Sequence, residues 1–393
     1  MSKKLGLKPK IPKQRILFLT SHPMCVVSFI LPHIRALKSD YDVSVMANTS
    51  NHLLLQKRGI EVLVEEVNLV RPISFVADLK ILFVLYWRFL FGRFNAVHTI
   101  TPKAGLLGMI AAWAARVPLR IHSFTGQVWV TQTGLMRWLL KTSDRVISAM
   151  ATDVLVDSPS QRNFLIEQGV LTAERSIVLG AGSICGVSAK RFYPSEDVSK
   201  FFRNKVGTSL DAIVCLYLGR LNTDKGVLDL AQAFAKVAQN HPKAELWVVG
   251  PDEGDYFNQM HMLFGDSIYK VKRMGYTDTP EVFMQAANLL CLPSHREGFG
   301  SSVIEAAACG VPTLASRIYG LTDAVKEGST GWMFRAGDVD DLAKKIDYLL
   351  ANPAELSAVG EAARKYVETL FLEDMITSKM LEFYNQKLSK FSK

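Results

Sequence analysis

Several things are scarce in this 393-residue chain, and each scarcity closes off a class of protein. The five cysteines, Cys25, Cys185, Cys215, Cys291 and Cys309, are scattered with no Cys-x-x-Cys pair. Neither a disulfide framework nor a zinc site is indicated, and reduced, mostly structural thiols in a cytosol are expected. Long apolar runs are missing too. Residues 81–87 run for seven between Lys80 and Arg88, whereas a spanning helix needs about 20, so the chain is expected not to cross a membrane. The first fifteen residues carry six bases (Lys3, Lys4, Lys8, Lys10, Lys13 and Arg15), but the apolar stretch 16–19 that follows is too short for a secretory core. No nucleic-acid-binding module is evident, and the bases are not interleaved with aromatics as a stacking platform requires. No nucleic-acid partner is expected.

Acidic residues are scarce in one half only. Residues 1–190 hold 23 Lys/Arg against 11 Asp/Glu, a net of +12, while residues 191–393 hold 23 against 26, a net of −3. A basic first half facing an acidic surface is the natural reading, and anionic lipid attracts each base with about 1 kcal/mol.

What is present is a rhythm. Short β-branched apolar runs at 15–21, 41–49, 61–67, 95–100, 119–125, 153–158 and 176–179 read as strands, with helical spacing between them, as at 29–38 and 105–115. The rhythm pauses over GAGSICGVSAKRFYP (180–194), which fits an interdomain connection. It resumes with strands at 213–218, 244–249, 268–274, 288–292 and 312–315, and 342–393 reads as helical and polar. Two tandem α/β domains with parallel sheets follow, and such sheets bind ligands beyond the carboxyl ends of their strands.

Two segments of the second half carry the chemistry. After the strand 213–218, Gly219 permits a sharp turn, and Arg220 and Lys225 leave the same turn as a planar donor fork and a point charge. That pair suits a diphosphate, or it is two solvated bases. After the strand 288–292 comes HREGFGSSVIE (295–305), where Gly298 and Gly300 allow close backbone approach and a helix begins near Ser301 or Ser302, turning free amides toward a ligand. Glu297 precedes the turn. Ser302-x-x-Glu305 also fits a capping box, in which Glu305 simply closes the helix start. An Asp-x-Asp at Asp338 and Asp340 follows Gly337 and reads as a helix cap rather than a metal site.

Together, GRLNTDKG (219–226), HREGFGSSVIEAAACGVPTLAS (295–316), TGWMF (330–334) and GDVDDLA (337–343) resemble the family-4 glycosyltransferases of bacterial surface-polysaccharide assembly. The resemblance implies a retaining enzyme of the GT-B fold, two Rossmann-like domains facing across a cleft. It implies an acceptor domain over 1–183, a donor domain over 184–372, and a terminal helix over 373–393 packing back on the first domain. It implies that Arg220 and Lys225 hold the donor diphosphate and that Glu297 bonds the donor sugar hydroxyls beside the amides of Phe299, Gly300 and Ser301. Glu305 would take the ribose, and the backbone at Tyr276 and Thr277 would border the base. The donor would be a nucleotide-diphosphate sugar, with UDP favoured. No cofactor or metal is expected, because the leaving phosphate helps deprotonate the acceptor.

In the first half, His122 sits where many family members keep a cleft histidine, or it is a packed core residue. Thr125, Gly126 and Gln127 form a polar turn suited to sugar hydroxyls, and Lys103, at a helix start, could meet an acceptor phosphate or be merely exposed. Two departures stand out. Ser21-His22-Pro23-Met24-Cys25 has no glycine where the family has a glycine-rich loop, and Ser188 stands where an aspartate is common. The acceptor expected is a polyprenyl-diphosphate-linked saccharide, and the enzyme is expected to be cytoplasmic and peripheral on the inner face of the cytoplasmic membrane. Residues 79–94 read either as an interfacial helix or as a buried one, with Arg88, Arg93, Arg137 and the basic tail as a lipid-facing patch. The alternative is a GT-B enzyme acting on a soluble nucleotide sugar, such as an epimerase, which would not need the basic bias.

Overall fold

Apolar runs without polar alternation require burial on both faces, and both sheets meet that requirement with helices. The computed structural model describes residues 13–70 and 74–391; the basic tail expected to meet lipid, Lys3 to Lys10, lies outside them. The first sheet is built from β1 (Arg15–Thr20), β2 (Asp42–Ala47), β3 (Val64–Glu66), β4 (Ala96–Ile100), β5 (Leu119–Phe124), β6 (Asp153–Val156) and β7 (Ser176–Val178), in the order β3-β2-β1-β4-β5-β6-β7. The second contains β8 (Ile213–Leu218), β9 (Ala244–Val249), β10 (Val271–Gly275), β11 (Leu289–Leu292), β12 (Thr313–Ser316) and β13 (Gly331–Phe334), in the order β10-β9-β8-β11-β12-β13. All five pairings in the second sheet are parallel. This is the doubly wound pattern expected from the sequence, and β13 is a strand that the sequence reading did not assign.

Two compact units emerge. One gathers the described residues up to His122, residues 146–153 and those from Leu381 on; the other gathers 123–145 and 154–380. In the first, the buried Tyr384 of the helix Glu373–Leu388 bonds His98 Nδ1 at 2.9 Å, and Tyr41 Oη bonds Asn385 Oδ1 at 2.5 Å. The helix Phe75–Gly92 settles the question of residues 79–94 in neither simple way. It buries Leu85, Phe89 and Gly92, while Phe75, Leu79, Phe83, Val84 and Phe91 stay exposed. Arg88 is held by Glu65 at 2.6 and 3.0 Å. No helix of the described residues is long and apolar enough to cross a membrane.

In the second unit the sheet reverses its winding between β8 and β11, so the loops that follow these neighbouring strands emerge side by side. At the opposite ends of the same strands, buried Arg203 donates to the carbonyls of Ala212 and Ala286, each at 2.9 Å, and to Asn288 Oδ1 at 2.7 Å. It therefore ties the helix Glu196–Lys205 to the entries of both strands. Arg203→Met would strand these buried acceptors at about 1–3 kcal/mol each. We expect a denaturant melt to show about 3 kcal/mol or more of lost stability, with the far-UV circular dichroism of the folded baseline unchanged.

Candidate active site

The two loops at the switch point are locked together by a contact that only glycine allows. Gly226 has φ +62°, and a side chain there would place its first carbon 1.9 Å from the carbonyl oxygen of Pro293. Asn222 caps the short turn Thr223–Lys225 by accepting from the Lys225 amide at 3.2 Å. His295 N–H donates to the Asp224 carbonyl at 2.8 Å, and Arg296 grips the Asp224 carboxylate at 2.5 and 3.2 Å. Burial pushes the Asp224 carboxyl up, but Arg296 and the Thr131 hydroxyl, 2.9 Å away, outweigh it and hold the carboxyl below its usual range.

That clamp sets the central pair. Lys225 Nζ forms an ion pair with Glu297 Oε1, and the Ser294 hydroxyl donates to the same oxygen at 2.9 Å. Both side chains are largely buried. Arg220, by contrast, turns to Glu253, with Nη1 2.9 and 3.0 Å from its two oxygens, and Asn222 Nδ2 donates to the same carboxylate at 2.7 Å. Of the two cations expected to face a diphosphate, one is therefore paired with Glu297 and the other with a residue 33 positions away.

Gly219 N–H donates to the Val249 carbonyl at 3.0 Å, and Gly250 N–H to the Gly275 carbonyl at 2.6 Å, which brings Tyr276 and Thr277 to the same sheet edge. Tyr276 is exposed, its hydroxyl 2.7 Å from Asp278 Oδ1. Phe299 is a core side chain, packed 5.2 Å from the ring of Phe371, so only its backbone is available to a ligand.

The capping box is not formed, a correction to the sequence reading. Gly300, at φ +76°, is the N-cap of the helix Ser301–Ala308, and no side chain caps it. Ser301 is already the first helical residue, so Ser302 cannot be the cap and Glu305 has no cap to close; the Val303 amide donates to the Gly300 carbonyl at 2.9 Å, and the Ser301 and Ser302 amides lack intrahelical acceptors. Burial raises the Glu305 carboxyl to about 7, against the pull of Arg191 and with the push of Glu281. Arg191 itself holds Glu281 at 2.8 Å and the Asp278 carbonyl at 2.7 Å.

Thr125, Gly126 and Gln127 belong to the same unit and lie against the Glu297 turn. A side chain on Gly298 would meet the Thr125 carbonyl at 2.6–2.7 Å and Asp157 Oδ2 at 2.8 Å. Gln127 is buried; its Oε1 accepts from Tyr319 Oη at 3.2 Å and Gln161 Nε2 at 3.3 Å, while its Nε2 has no partner. Burial raises the Asp157 carboxyl to about 8. Asp157, Glu253, Arg191 and Arg296 escaped the sequence reading because only the fold brings them to this edge.

In the first unit, His122 lies in the last half of β5 with 1% exposure, its Nδ1 2.8 Å from Thr99 Oγ1 and its ring against Gly105. Burial lowers it to about 3, so it is a neutral imidazole. Lys103 lies in the first turn of the helix Pro102–Ala114, paired with Asp78 at 2.6 Å and donating to the Val70 carbonyl at 2.8 Å. Asp338 caps the helix Val339–Ala351 through the Asp341 amide at 2.9 Å, and Asp340 pairs with Lys236 at 2.5 Å. Among the described residues no group of three or more His, Cys, Asp or Glu is arranged to hold a metal.

Two family models cover most of this chain: glycosyl transferases group 1 over residues 198–366, and the glycosyl transferase 4-like domain over 32–182. The chain belongs to the family-4 glycosyltransferases. It is 29% identical, over 90% of its length and 92% of the relative's, to the capsular polysaccharide biosynthesis glycosyltransferase CapM of Staphylococcus aureus. It is 25% identical, over 71% of its length and 72% of the relative's, to an Escherichia coli UDP-Gal:α-D-GlcNAc-diphosphoundecaprenol α-1,3-galactosyltransferase. Among solved structures it resembles Anabaena HepE in complex with UDP and glucose (TM-score 0.78, 20% identity, 95% of this chain and 100% of that one). It also resembles a sucrose-phosphate synthase from Thermosynechococcus elongatus (TM-score 0.79, 23% identity, 96% and 100%). This glycosyltransferase, a hexosyltransferase, has the GT-B fold of two Rossmann-like domains.

Asp144, Asp157 and Glu305 carry raised carboxyl pKa values of about 7, 8 and 7, burial being the first cause in each. At these three groups the folded state binds more protons than the unfolded chain, so the stability they contribute is full below about pH 4 and is lost as pH rises through 7 to 8, while the buried, neutral His122 and His98 pull the opposite way below about pH 6.5. In melts across pH 5–9, Glu305→Gln should lose stability less steeply than the enzyme as pH rises to about 7 and should run parallel to it above.

Proposed function

We propose that this enzyme transfers a hexose, with retention of anomeric configuration, from a UDP-sugar to a polyprenyl-diphosphate-linked saccharide at the inner face of the cytoplasmic membrane, in surface-polysaccharide assembly. The observation that carries the reading is the Lys225–Glu297 pair, held between the two loops of a topological switch point. A carboxylate there accepts hydroxyl hydrogens of a donor sugar, and a cation beside it receives the diphosphate. Arg220 releases Glu253 to supply a second, forked set of donors. Glu305 takes the ribose hydroxyls, and Tyr276 and Thr277 border the base.

In the transfer step the bond from the anomeric carbon to the diphosphate oxygen breaks, and the acceptor oxygen bonds the same face of that carbon. The acceptor's proton passes to the leaving phosphate oxygen, so neither a protein base nor a metal is required. His122, a neutral imidazole, positions the donor sugar by hydrogen bonding, while Thr125, Gly126, Gln127 and Lys103 receive the acceptor. The relatives' printed substrates support the donor and acceptor classes, and the first relative supports the polysaccharide setting. The exposed apolar face of the helix Phe75–Gly92 and the basic first half support a membrane-facing enzyme.

Turnover with UDP-glucose and UDP-galactose, measured with and without chelator on a diphosphate-lipid acceptor, tests the reading. Lys225→Ala and Arg220→Ala should each lower kcat by roughly 10²–10³, and chelator should change nothing. Near-normal turnover in both variants, or an inverted product anomer by NMR, would overturn it.

A further inference from the structure

The first unit holds an apolar groove of about 780 Å³ between the helices Phe75–Gly92 and Pro102–Ala114. Leu79, Leu82, Phe83 and Tyr86 line it from one helix and Ile110 and Ala114 from the other, with Lys80 as the one charged residue of the lining. We propose that this groove holds the isoprenoid chain of the lipid-linked acceptor, with the phosphate head at the end marked by Lys80 and Lys103. The proposal rests on the lipid-linked acceptor argued above and assigns the chain its seat.

Three features select this occupant. The Lys103–Asp78 pair joins the first turns of both helices, and Leu79 and Lys80 follow Asp78 directly, so both cations mark one end of the groove. The helix Pro102–Ala114 starts just after β4, beside β1, where the first sheet reverses its winding. The cationic end therefore lies at the sheet edge that receives ligands, and the apolar part runs away from it along the helices. Two lysines against the single carboxylate of Asp78 leave this end net positive, and a groove otherwise apolar complements an anionic amphiphile. The volume fits a small ligand or a chain, within the roughly 300–1,000 Å³ of such sites; a protein partner covers about 800 Å² of its counterpart. Bulk bilayer lipid needs no concave seat, because Phe75 and Phe91 already offer it an exposed apolar face outside the groove.

The test uses the full chain in detergent with a diazirine-tagged geranylgeranyl phosphate, crosslinked peptides being mapped by mass spectrometry. Labelling should concentrate in 79–86 and 110–114, and untagged geranylgeranyl phosphate should compete roughly tenfold better than phosphatidylglycerol. Ala114→Trp, which fills the groove from an exposed position, should cut labelling by a similar factor with an unchanged melting temperature. Phe83→Glu, also exposed, carries the same comparison if the first variant folds poorly. Labelling elsewhere, equal competition by phosphatidylglycerol, or undiminished labelling in the folded variant would each overturn the proposal. A UDP-induced thermal shift in the same samples reports the transferase reading separately: if it is intact while the label lies elsewhere, the groove assignment alone has failed.

Discussion

The second unit depends on one close approach, the Gly226 backbone against the Pro293 carbonyl. The reversal of winding between β8 and β11 brings two loops out of adjacent strands, and they must share a space too small for any side chain at that contact. Once they are pressed together, Asp224 can bond His295 and Arg296, and Lys225 has a fixed origin from which to reach Glu297. The charged pair is a consequence of backbone packing. Largely buried pairs of this kind contribute little net stability, since desolvation offsets their attraction; the arrangement makes better sense as preorganised binding chemistry.

In each unit, burial has set the protonation of several groups in advance. His122 is kept neutral, and Glu305 and Asp157 are carboxyls that hold their protons near neutrality. A protonated Glu305 can donate as well as accept, which suits a ribose hydroxyl. Arg220 and Lys225 each rest on a carboxylate, Glu253 and Glu297; in the proposed function an arriving diphosphate would exchange one anionic partner for another.

The strands were legible because runs such as Ile213–Leu218 and Ala244–Val249 are apolar and β-branched enough to admit no other reading. β13 was missed because Gly331–Phe334 is only four residues long, opens on glycine and lacks β-branching. The two loops were legible as glycine-flanked turns at strand ends, whereas Arg220's partner was not, since Glu253 lies beyond β9 and meets Arg220 only through the sheet order. The capping box was misread because the pattern fits the letters, while the backbone reverses one residue earlier, at Gly300. Nor could the sequence separate a buried helix at 79–94 from an interfacial one; the helix buries one face and leaves apolar side chains exposed on the other, and its groove exists only once a second helix lies alongside.

In the proposed site Glu297 serves the sugar while Lys225 serves the diphosphate. Calorimetric titration with UDP, which has no sugar, separates the two roles in Lys225→Ala, Glu297→Gln and the double variant. Lys225→Ala should weaken UDP binding, whereas Glu297→Gln should leave it equal or tighter because Lys225 is released. If Glu297→Gln weakens UDP as much as Lys225→Ala does in protein of unchanged melting temperature, the pair is a structural bridge and the donor site as drawn is wrong.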